Sequence, residues 1–385
     1  MSVEVAVPIN HYRHFPMAPF AEAVRAIAAS GVVDQMQIWD QMTSWFPQAL
    51  WTPARAPMAN VMPDIDSFPD AMALSAYGSA LAPDLGLVFS TDAVRRGPGE
   101  LTQSMLTLAA MTEGRATFHI GAGEIKQCQP YGWKRSQGLK RLEDLYNIFH
   151  GLWDADGPIS YEGHYTTLDR AWLGGAKQHR PQIFGLGGGP RIIDLTTSFG
   201  DGFATMVPLV WASPEELAEN IARFKEQLAA KGRNPDAFQF AIWVTVLAHD
   251  DPAVIDRALD NDILRFTATV FGRLNQGDWH KEGVEPPLPA DWHYAMKYLP
   301  TRMGEAECVD WARKATRYHS ENMWVFGNPA EIAEQLRPYV DAGATWIGLL
   351  DFLPFVLEID DGANWLDRSL EIARLLKAEV TASVA

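Results

Sequence analysis

The feature that most restricts the fold is a regular alternation of short apolar runs with amphipathic, helix-like segments along the 385 residues. Strands that alternate with helices predict a parallel sheet, because each connection must return the chain to the same edge. Eight such units predict a closed (β/α)8 barrel, an α/β fold of the TIM-barrel class. The runs predicted as strands are residues 3–9, 35–39, 85–91, 116–122, 182–186, 202–207, 238–248 and 346–352.

The helical segments lie between and after these strands, and residues 159–168 predict a small hairpin because their polarity alternates around a glycine. The clearest helix start has Ser213 at the N-cap, Pro214 at N1 and Glu216 at N3. The segments predicted as helices are residues 18–29, 67–81, 99–111, 135–153, 191–199, 213–231, 253–271, 305–319, 329–342 and 365–377.

Two segments are too long for ordinary connections and are predicted to be functional insertions. Residues 42–66, after the second strand, are rich in proline, and residues 272–300, after the seventh strand, are rich in proline, tryptophan and histidine. A barrel with insertions can reach the length of this chain. We therefore expect residues 1–385 to form a single TIM-barrel domain.

Charge and cysteine content limit the class of protein. The formal net charge of −16 argues against nucleic acid as a partner, since that function needs a basic surface. The two cysteines, Cys128 and Cys308, form no CxxC pair or disulfide framework, which is typical of a reducing cytoplasm. No apolar run reaches 18 residues and no secretory signal begins the chain, so we expect a cytoplasmic protein without membrane insertion.

The stretch ATFHIGAGEIKQCQPYG, residues 116–132, carries the first candidate site. Its apolar run predicts a buried parallel strand, and the glycines that follow let the backbone approach a ligand closely. Glu124 comes just after the carboxyl end of this strand, which is where parallel α/β folds bind ligands and place their chemistry. The alternative is a glycine turn with a solvated glutamate.

A second candidate is the turn Gly187-Gly188-Gly189-Pro190-Arg191, which follows the fifth predicted strand and begins a helix. Backbone N–H groups at a helix N-terminus bind phosphate well. The turn matches neither the dinucleotide fingerprint nor the P-loop, since Pro190 takes the place of a third glycine and no Gly-Lys-Ser/Thr follows. It predicts either an anion site or a structural turn.

Polar and aromatic residues mark the same rim of the predicted barrel. Asp40 and Gln41 end the second strand and Trp45 follows, while Arg95 lies after the third strand in position to hold an anionic group. Each of these has an alternative role in packing, capping or solvation. No histidine or cysteine spacing predicts a metal site.

Taken together, these motifs resemble the luciferase-like flavin and deazaflavin oxidoreductases, in particular the coenzyme F420-dependent branch and its phthiodiolone ketoreductase group. The resemblance covers residues 3–376 at low identity. Its most specific parts are IGAGE with the downstream QPYG, the GGGP turn, GDGF at residues 200–203, and WHKEGVEPPLPADW at residues 279–292.

The resemblance implies roles for the candidate residues. Asp40 matches an acidic residue that lies against the deazaflavin ring, Trp45 matches a tryptophan beside the reacting face, and Glu124 matches the active-site glutamate. Val88 and Phe89 fall where the family has a non-proline cis peptide that supports the ring.

For the cofactor phosphate, the resemblance implies binding by Gly187, Gly188, Gly189 and Arg191. Separately, the composition of the insertion over residues 272–300 predicts substrate contact through Trp279, His280 and His293, and the alternative for each is a structural role in loop packing.

One departure concerns the residue after Asp40. The family has a histidine there that acts as acid or base, whereas this chain has Gln41, whose amide cannot transfer a proton at neutral pH. Proton transfer is then reassigned to Glu124 or to a histidine of the second insertion, or the substrate differs. Gln41 stays a candidate catalytic residue by position.

The resemblance therefore implies an F420-dependent oxidoreductase that moves a hydride between the deazaflavin C5 and a hydrophobic ketone, enone or alcohol, and that forms a homodimer. A first alternative is an FMN-dependent monooxygenase that uses reduced FMN and oxygen. A second is a barrel that binds the cofactor without turnover.

Overall fold

In the computed structural model, which describes residues 3–174 and 177–382, eight parallel strands close into a barrel and confirm the predicted (β/α)8 fold. The strands are β1 (Glu4–Pro8), β2 (Gln35–Trp39), β3 (Gly86–Asp92), β4 (Ala116–Gly121), β5 (Ile159–Glu162), β6 (Thr167–Ala171), β7 (Gln182–Leu186), β8 (Gly202–Val207), β9 (Gln239–Ala248), β10 (Val325–Gly327) and β11 (Trp346–Asp351). The order around the barrel is β1-β2-β3-β4-β7-β8-β9-β11, and β11 returns to β1 with Glu4 opposite Trp346. β5 and β6 form the predicted hairpin outside the barrel.

Helices connect the strands and form the outer layer. They are α1 (Met17–Ser30), α2 (Ala71–Leu81), α3 (Pro98–Met111), α4 (Ile125–Cys128), α5 (Gly138–Asp154), α6 (Pro190–Phe199), α7 (Pro214–Ala230), α8 (Pro252–Leu259), α9 (Asp262–Phe271), α10 (Asp278–Lys281), α11 (Tyr294–Lys297), α12 (Glu305–Lys314), α13 (Arg317–Glu321), α14 (Pro329–Asp341), α15 (Ile359–Gly362) and α16 (Trp365–Ala382). No helix in this part of the chain is both long and apolar enough to cross a bilayer.

Alternation along each strand divides the apolar core into two layers. On β3, Leu87 and Phe89 pack outward against the helices, whereas Val88 between them points into the barrel. The inner layer holds Trp243 and Trp346 and continues without a break into the first insertion. The barrel mouth and that insertion therefore share one packed core.

Three predicted helices differ from the structure because local capping ends them. The helix predicted from residue 67 begins at Ala71, since Asp70 accepts a hydrogen bond from the Ala73 N–H at 2.9 Å. Asn261 caps α9 in the same way and divides the helix predicted over residues 253–271. Thr316 forms a capping box with His319 and divides the helix predicted over residues 305–319. The three-residue strand β10 was not predicted.

Candidate active site

The carboxyl ends of β2, β3 and β4 bring acidic side chains to one side of the barrel mouth. Asp40 follows β2, Asp92 ends β3, and Glu124 comes three residues after β4. Because β3 pairs with both neighbours in parallel register, these ends lie side by side. We call this the β2–β4 side of the mouth.

The backbone before Glu124 is held tightly. Gly123 has φ +87°, and a Cβ there would lie 3.1 Å from Val94 and 3.2 Å from the Cys128 sulfur. A Cβ on Gly138, at the start of α5, would overlap the carbonyl oxygen of Ala122. The predicted close approach therefore occurs within the protein, and it fixes where the Glu124 side chain begins.

Glu124 is 35% exposed, and its Oε2 lies 3.2 Å from Nζ of Lys126, which is only 1% exposed. Lys126 also donates to the Thr43 carbonyl oxygen at 2.9 Å and lies 5.7 Å from the centre of the Trp45 ring. Burial lowers the pKa of Lys126, while the charge of Glu124 opposes that shift. One carboxylate oxygen thus faces a fixed cation, while the side chain stays accessible from the mouth.

The first insertion is attached to α4 by hydrogen bonds. Gln127 Oε1 accepts from the backbone N–H groups of Met42 at 2.9 Å and Thr43 at 3.1 Å. Its Nε2 donates to the Thr43 carbonyl at 2.7 Å and to Gln41 Oε1 at 3.4 Å. Gln41, at the position where the resemblance implies a histidine, is therefore part of a structural contact.

The second insertion covers the same place from the other side. The Tyr298 hydroxyl donates to the Trp45 carbonyl oxygen at 2.6 Å, which joins the two insertions directly. Tyr294 is fully buried beside it, and burial raises the pKa of both phenols well above their usual value. His293 is half-buried, its Nδ1 accepts from the Ala295 N–H, and burial followed by the charge of Arg135 lowers its pKa. His293 is thus placed near Glu124 as a neutral ring.

Asp40 lies in a buried ion-pair network. Arg96 bonds its two carboxylate oxygens at 2.9 and 3.0 Å, Thr91 donates to it at 2.7 Å, and Arg95 bonds its carbonyl oxygen. Burial alone raises the pKa of Asp40, but the two arginines outweigh that effect and the pKa is lowered. The carboxylate therefore stays ionised.

The structure corrects the role expected for Arg95. Its Nε bonds Asp92 at 2.5 Å and its Nη2 bonds the Asp40 carbonyl, with the side chain only 5% exposed. The guanidinium of Arg95 is thus paired with two aspartates inside the protein, instead of lying unpaired at the rim.

The cis peptide expected at Val88–Phe89 is likewise absent. Within residues 3–174 and 177–382 the cis bond is Val207–Pro208, at the end of β8. Phe89 also points outward into the helix layer, so Val88 is the member of this pair that faces the barrel interior.

The glycine turn lies on the neighbouring strand, because β4 pairs with β7 and Gly121 stands opposite Leu186. Gly189 is the N-cap of α6 and no atom lies within 4 Å of the position of its missing Cβ. At Gly188 a Cβ would lie 2.5 Å from Val210. The space beside Gly189 is thus open, whereas Val210 fills the space beside Gly188.

Arg191 lies beyond the turn and is half exposed. Its guanidinium pairs with Asp194 at 2.7 Å and Glu143 at 2.9 Å. These are surface pairs, which a bound anion can displace at small cost.

The other two residues predicted to contact substrate from the second insertion are Trp279 and His280, and their surroundings differ from those of His293. Trp279 is 0% exposed and packs between Arg273, 4.1 Å from its ring centre, and His319, 4.8 Å between ring centroids. This burial corrects its expected contact with substrate. His280, the next residue, is exposed on α10.

Aromatic rings form the floor of the mouth. Trp39 at the end of β2 stacks on Trp243 with centroids 5.4 Å apart and meets Trp45 edge-on at 4.6 Å. Below them, Trp243 Nε1 donates to His119 Nδ1 at 3.0 Å, and complete burial lowers the pKa of His119 to about 3. In the described chain the Trp39 indole N–H is buried without a protein acceptor.

A cavity of about 600 Å³ lies on the opposite side of the mouth, near β9, β10 and α14. Its lining combines apolar Ile255 and Phe326 with acidic Asp256, Glu331 and Glu334. No group of three or more metal-ligating side chains occurs among residues 3–174 and 177–382.

Sequence reasoning missed Lys126, Gln127, Tyr294 and Tyr298. Lys126 stands two residues after Glu124 in the printed sequence, but a lysine in a polar loop is ordinarily solvated, so no pattern marked it. The two tyrosines lie in the second insertion, where only tryptophan and histidine residues were predicted to contact substrate.

Comparison with known proteins identifies the family. The profile described as luciferase-like monooxygenase matches residues 45–345. The chain is 25% identical over 347 residues to the phthiodiolone/phenolphthiodiolone dimycocerosates ketoreductase of Mycobacterium tuberculosis, covering 88% of this chain and 89% of that one. It is 25% identical over 266 residues to the F420-dependent glucose-6-phosphate dehydrogenase of Kineococcus radiotolerans, covering 68% and 70%.

A solved structure shows the same fold. An F420-dependent secondary alcohol dehydrogenase in complex with an F420–acetone adduct superposes with a TM-score of 0.71 at 19% identity, covering 98% of this chain and 99% of that one. Because the family profile spans more than half of the chain, this protein belongs to the luciferase-like monooxygenase family.

Proposed function

We propose that this oxidoreductase uses coenzyme F420 and transfers a hydride between the deazaflavin and a hydrophobic ketone, enone or alcohol. The observation that carries the proposal is the Glu124 carboxylate, 35% exposed just after the carboxyl end of β4 and paired with the buried Lys126. The names of the relatives, a ketoreductase and an F420-dependent dehydrogenase, support the same reaction class.

Reduction of a ketone needs a hydride at the carbonyl carbon and a proton at the oxygen, and oxidation of an alcohol reverses both transfers. Coenzyme F420 supplies or accepts the hydride when it is bound. We assign the proton to Glu124, because Gln41 cannot donate one and its amide is engaged by Gln127. His293, close to Glu124 and half-buried, is the candidate for exchanging that proton with water.

The residues at the mouth fit such a cofactor. The space beside Gly189 is open, and this glycine leads into the N-terminus of α6, which favours a phosphate. Arg191 adds a displaceable positive charge. On the ring side, the Trp39 indole N–H is a buried donor without a protein acceptor. In this assignment Asp40 and Val88 support the ring, while Arg95 and Arg96 hold Asp40 in place.

Aromatic packing at the mouth favours a hydrophobic substrate. Trp45 and Trp39 present an apolar floor next to Glu124, and the two insertions meet above it through Tyr298. Exclusion of water strengthens the electrostatic contacts of the site and protects the hydride. His280, exposed on the second insertion, is proposed to contact the outer part of the substrate.

An FMN-dependent monooxygenase is the second candidate, favoured by the description of the family as luciferase-like monooxygenases. The glycine turn and the N-terminus of α6 support binding of an FMN phosphate as much as that of F420. Only the identity of the bound cofactor separates the two reactions.

The deciding experiment is a titration of the purified protein, followed by tryptophan fluorescence, with oxidised F420 and separately with FMN. We expect micromolar binding of F420 and at least tenfold weaker binding of FMN. Tighter binding of FMN would replace the proposal by the monooxygenase. Binding of F420 without turnover of any ketone, enone or alcohol would indicate a cofactor carrier.

The same titration tests the phosphate site. With Arg191→Ala we expect F420 to bind about threefold to tenfold more weakly at low salt, with the difference shrinking at high salt. A matched control is Arg223→Ala, an exposed arginine on α7 paired with Glu219. Equal affinity in both variants would place the anion elsewhere.

Three expectations remain predictions: a single domain over residues 1–385, a homodimer, and a cytoplasmic location. The first is supported by the shared core of barrel and first insertion. Light scattering of the purified protein would check the second.

A further inference from the structure

Lys126 is a buried cation for which the fold provides few partners. Its side chain is 1% exposed, and its Nζ has two oxygen partners, the Glu124 carboxylate at 3.2 Å and the Thr43 carbonyl at 2.9 Å. Burying an ammonium costs several kcal/mol, and breaking such a pair leaves an uncompensated charge. A hydrophobic residue would fill this volume at lower cost, so stability alone does not explain Lys126.

The two partners of Lys126 belong to different parts of the site. Glu124 extends from the barrel, whereas Thr43 belongs to the first insertion. The Thr43 carbonyl also accepts from Gln127, whose other amide atom receives the N–H groups of Met42 and Thr43. Lys126 and Gln127, consecutive residues of α4, therefore both form hydrogen bonds to residues 42–43. Lys126 also pairs with Glu124.

We propose that Lys126 is a positioning residue that couples the orientation of Glu124 to the seating of residues 42–43 on α4. With residues 42–43 seated, the ammonium is held by Thr43 and directs Glu124 toward the mouth. With residues 42–43 displaced, Lys126 loses that anchor and the carboxylate loses its fixed partner. The consequence for turnover rests on the proposed function, because it gives Glu124 a role in proton transfer.

Trp45 connects this arrangement to the reacting face. Its ring lies 5.7 Å from the Lys126 ammonium, and its carbonyl receives the Tyr298 hydroxyl of the second insertion. Seating of the first insertion thus places the tryptophan, the carboxylate and the second insertion together.

The test compares Lys126→Gln, which keeps a donor for Thr43 but removes the charge, with Lys126→Arg, which keeps the charge. Lys140→Gln, an exposed lysine on α5, is the matched control. For Lys126→Gln we expect turnover to fall at least about tenfold, with F420 affinity within about twofold of the wild type. For Lys126→Arg we expect a smaller loss, because a guanidinium restores the charge but not the geometry.

The pH–rate profile provides a readout that a merely structural role would not move. Lys126→Gln removes the positive charge beside Glu124 and Lys126→Arg keeps it, so a limb of the pH–rate profile should move in the first variant and stay in place in the second. The groups that face Glu124 from every neighbouring segment, and that stay unchanged in these variants, are Cys128, Arg135, His293, Tyr294 and Tyr298, with Asp66 acting through Lys126.

Hydrogen exchange of the cofactor-free protein separates this inference from the proposed function. Amide exchange of Met42 and Thr43 should be faster in Lys126→Gln than in Lys140→Gln, whether or not F420 binds. Unchanged exchange and an unmoved pH limb would overturn the positioning role. Failure of F420 to bind the wild type would overturn only the proposed function. If Lys126→Gln does not fold, wild-type turnover in Lys126→Arg would overturn the inference, and reduced turnover at unchanged F420 affinity would support it.

Discussion

The two sides of the barrel mouth use charge in opposite ways. On the β2–β4 side, Asp40 and Lys126 are buried and paired, and both insertions pack over them. The other side, which we call the β9–β11 side, has an open cavity of about 600 Å³. There, Nε2 of His249 lies 3.1 Å from the Asp361 carboxylate, whose side chain is 38% exposed.

This difference teaches that cavity volume alone does not locate the chemistry. The β9–β11 side offers space, but the carboxylates that line its cavity face solvent, where electrostatic interactions are screened. The β2–β4 side offers less space and a desolvated charge pair next to aromatic rings, where fixed charges act strongly on a reacting group. Variants on the β2–β4 side are therefore expected to differ in effect from matched variants on the β9–β11 side.

The largest expected effect is on turnover. Glu124→Gln should lower kcat with F420 and a ketone or alcohol substrate by about 10²–10⁴-fold, because it removes the assigned proton carrier. Affinity for F420 should stay within about twofold. Steady-state kinetics and the fluorescence titration measure these quantities.

Glu334→Gln is the control for that experiment on the β9–β11 side, since Glu334 lines the cavity there and is exposed. We expect wild-type kinetics. A loss of turnover in Glu334→Gln comparable with that in Glu124→Gln would move the active site to the cavity.

The next effect is on stability. Arg95→Met should lower the free energy of unfolding by about 3–5 kcal/mol, because it leaves the buried Asp92 without its partner and removes one of the two arginines paired with Asp40. Arg368→Met on the β9–β11 side should cost about 1 kcal/mol, because its partner Asp361 is already solvated. Urea unfolding of both variants checks the order, and equal losses would remove the contrast between the two sides.

A smaller effect is expected on the pH dependence of stability, through Asp351 at the end of β11. Burial raises the pKa of Asp351 from 3.8 to about 7, with Arg368 opposing the shift. Between these values the folded protein holds one proton more than the unfolded chain, so stability falls as pH rises, by up to about 1.4 kcal/mol per unit. Asp351→Asn should remove this slope.

The contribution of Asp351 to the pH dependence of stability must be measured as a difference between Asp351→Asn and wild type, because His119 contributes a slope of the opposite sign. Complete burial lowers the pKa of His119 from 6.5 to about 3, so its contribution to stability rises with pH over that interval. Thermal unfolding between pH 4 and pH 7 provides the comparison. Identical pH profiles for Asp351→Asn and wild type would show that this carboxyl titrates normally.

Much of the fold and part of the site could be predicted from residue patterns. The eight barrel strands were predicted within a few residues, because apolar runs bounded by glycine and polar residues report burial directly. Glu124 was found because the strand, the glycines and the carboxylate are consecutive in sequence. The division of the helix predicted over residues 253–271 was missed, because Asn261 is a helix cap only when the chain turns there.

The role of a charged side chain was predicted less well. Arg95 and Trp279 were expected at the ligand and are buried in pairs, with Asp92 and with Arg273 respectively. No functional role was predicted for Lys126, which lies beside Glu124. The sequence shows which side chains can bind a ligand, but not which of them are already paired with other side chains of the protein.

By itself, then, the sequence determined the parallel barrel, the two insertions and the place of Glu124 at the rim, because each depends on residues that are neighbours along the chain. Only the tertiary structure decided that the first insertion lies on α4, with Thr43 and Lys126 in contact across 83 residues. Burial and ion pairing are properties of several distant segments packed together. No local pattern can state whether a lysine is solvated or holds a carboxylate in place.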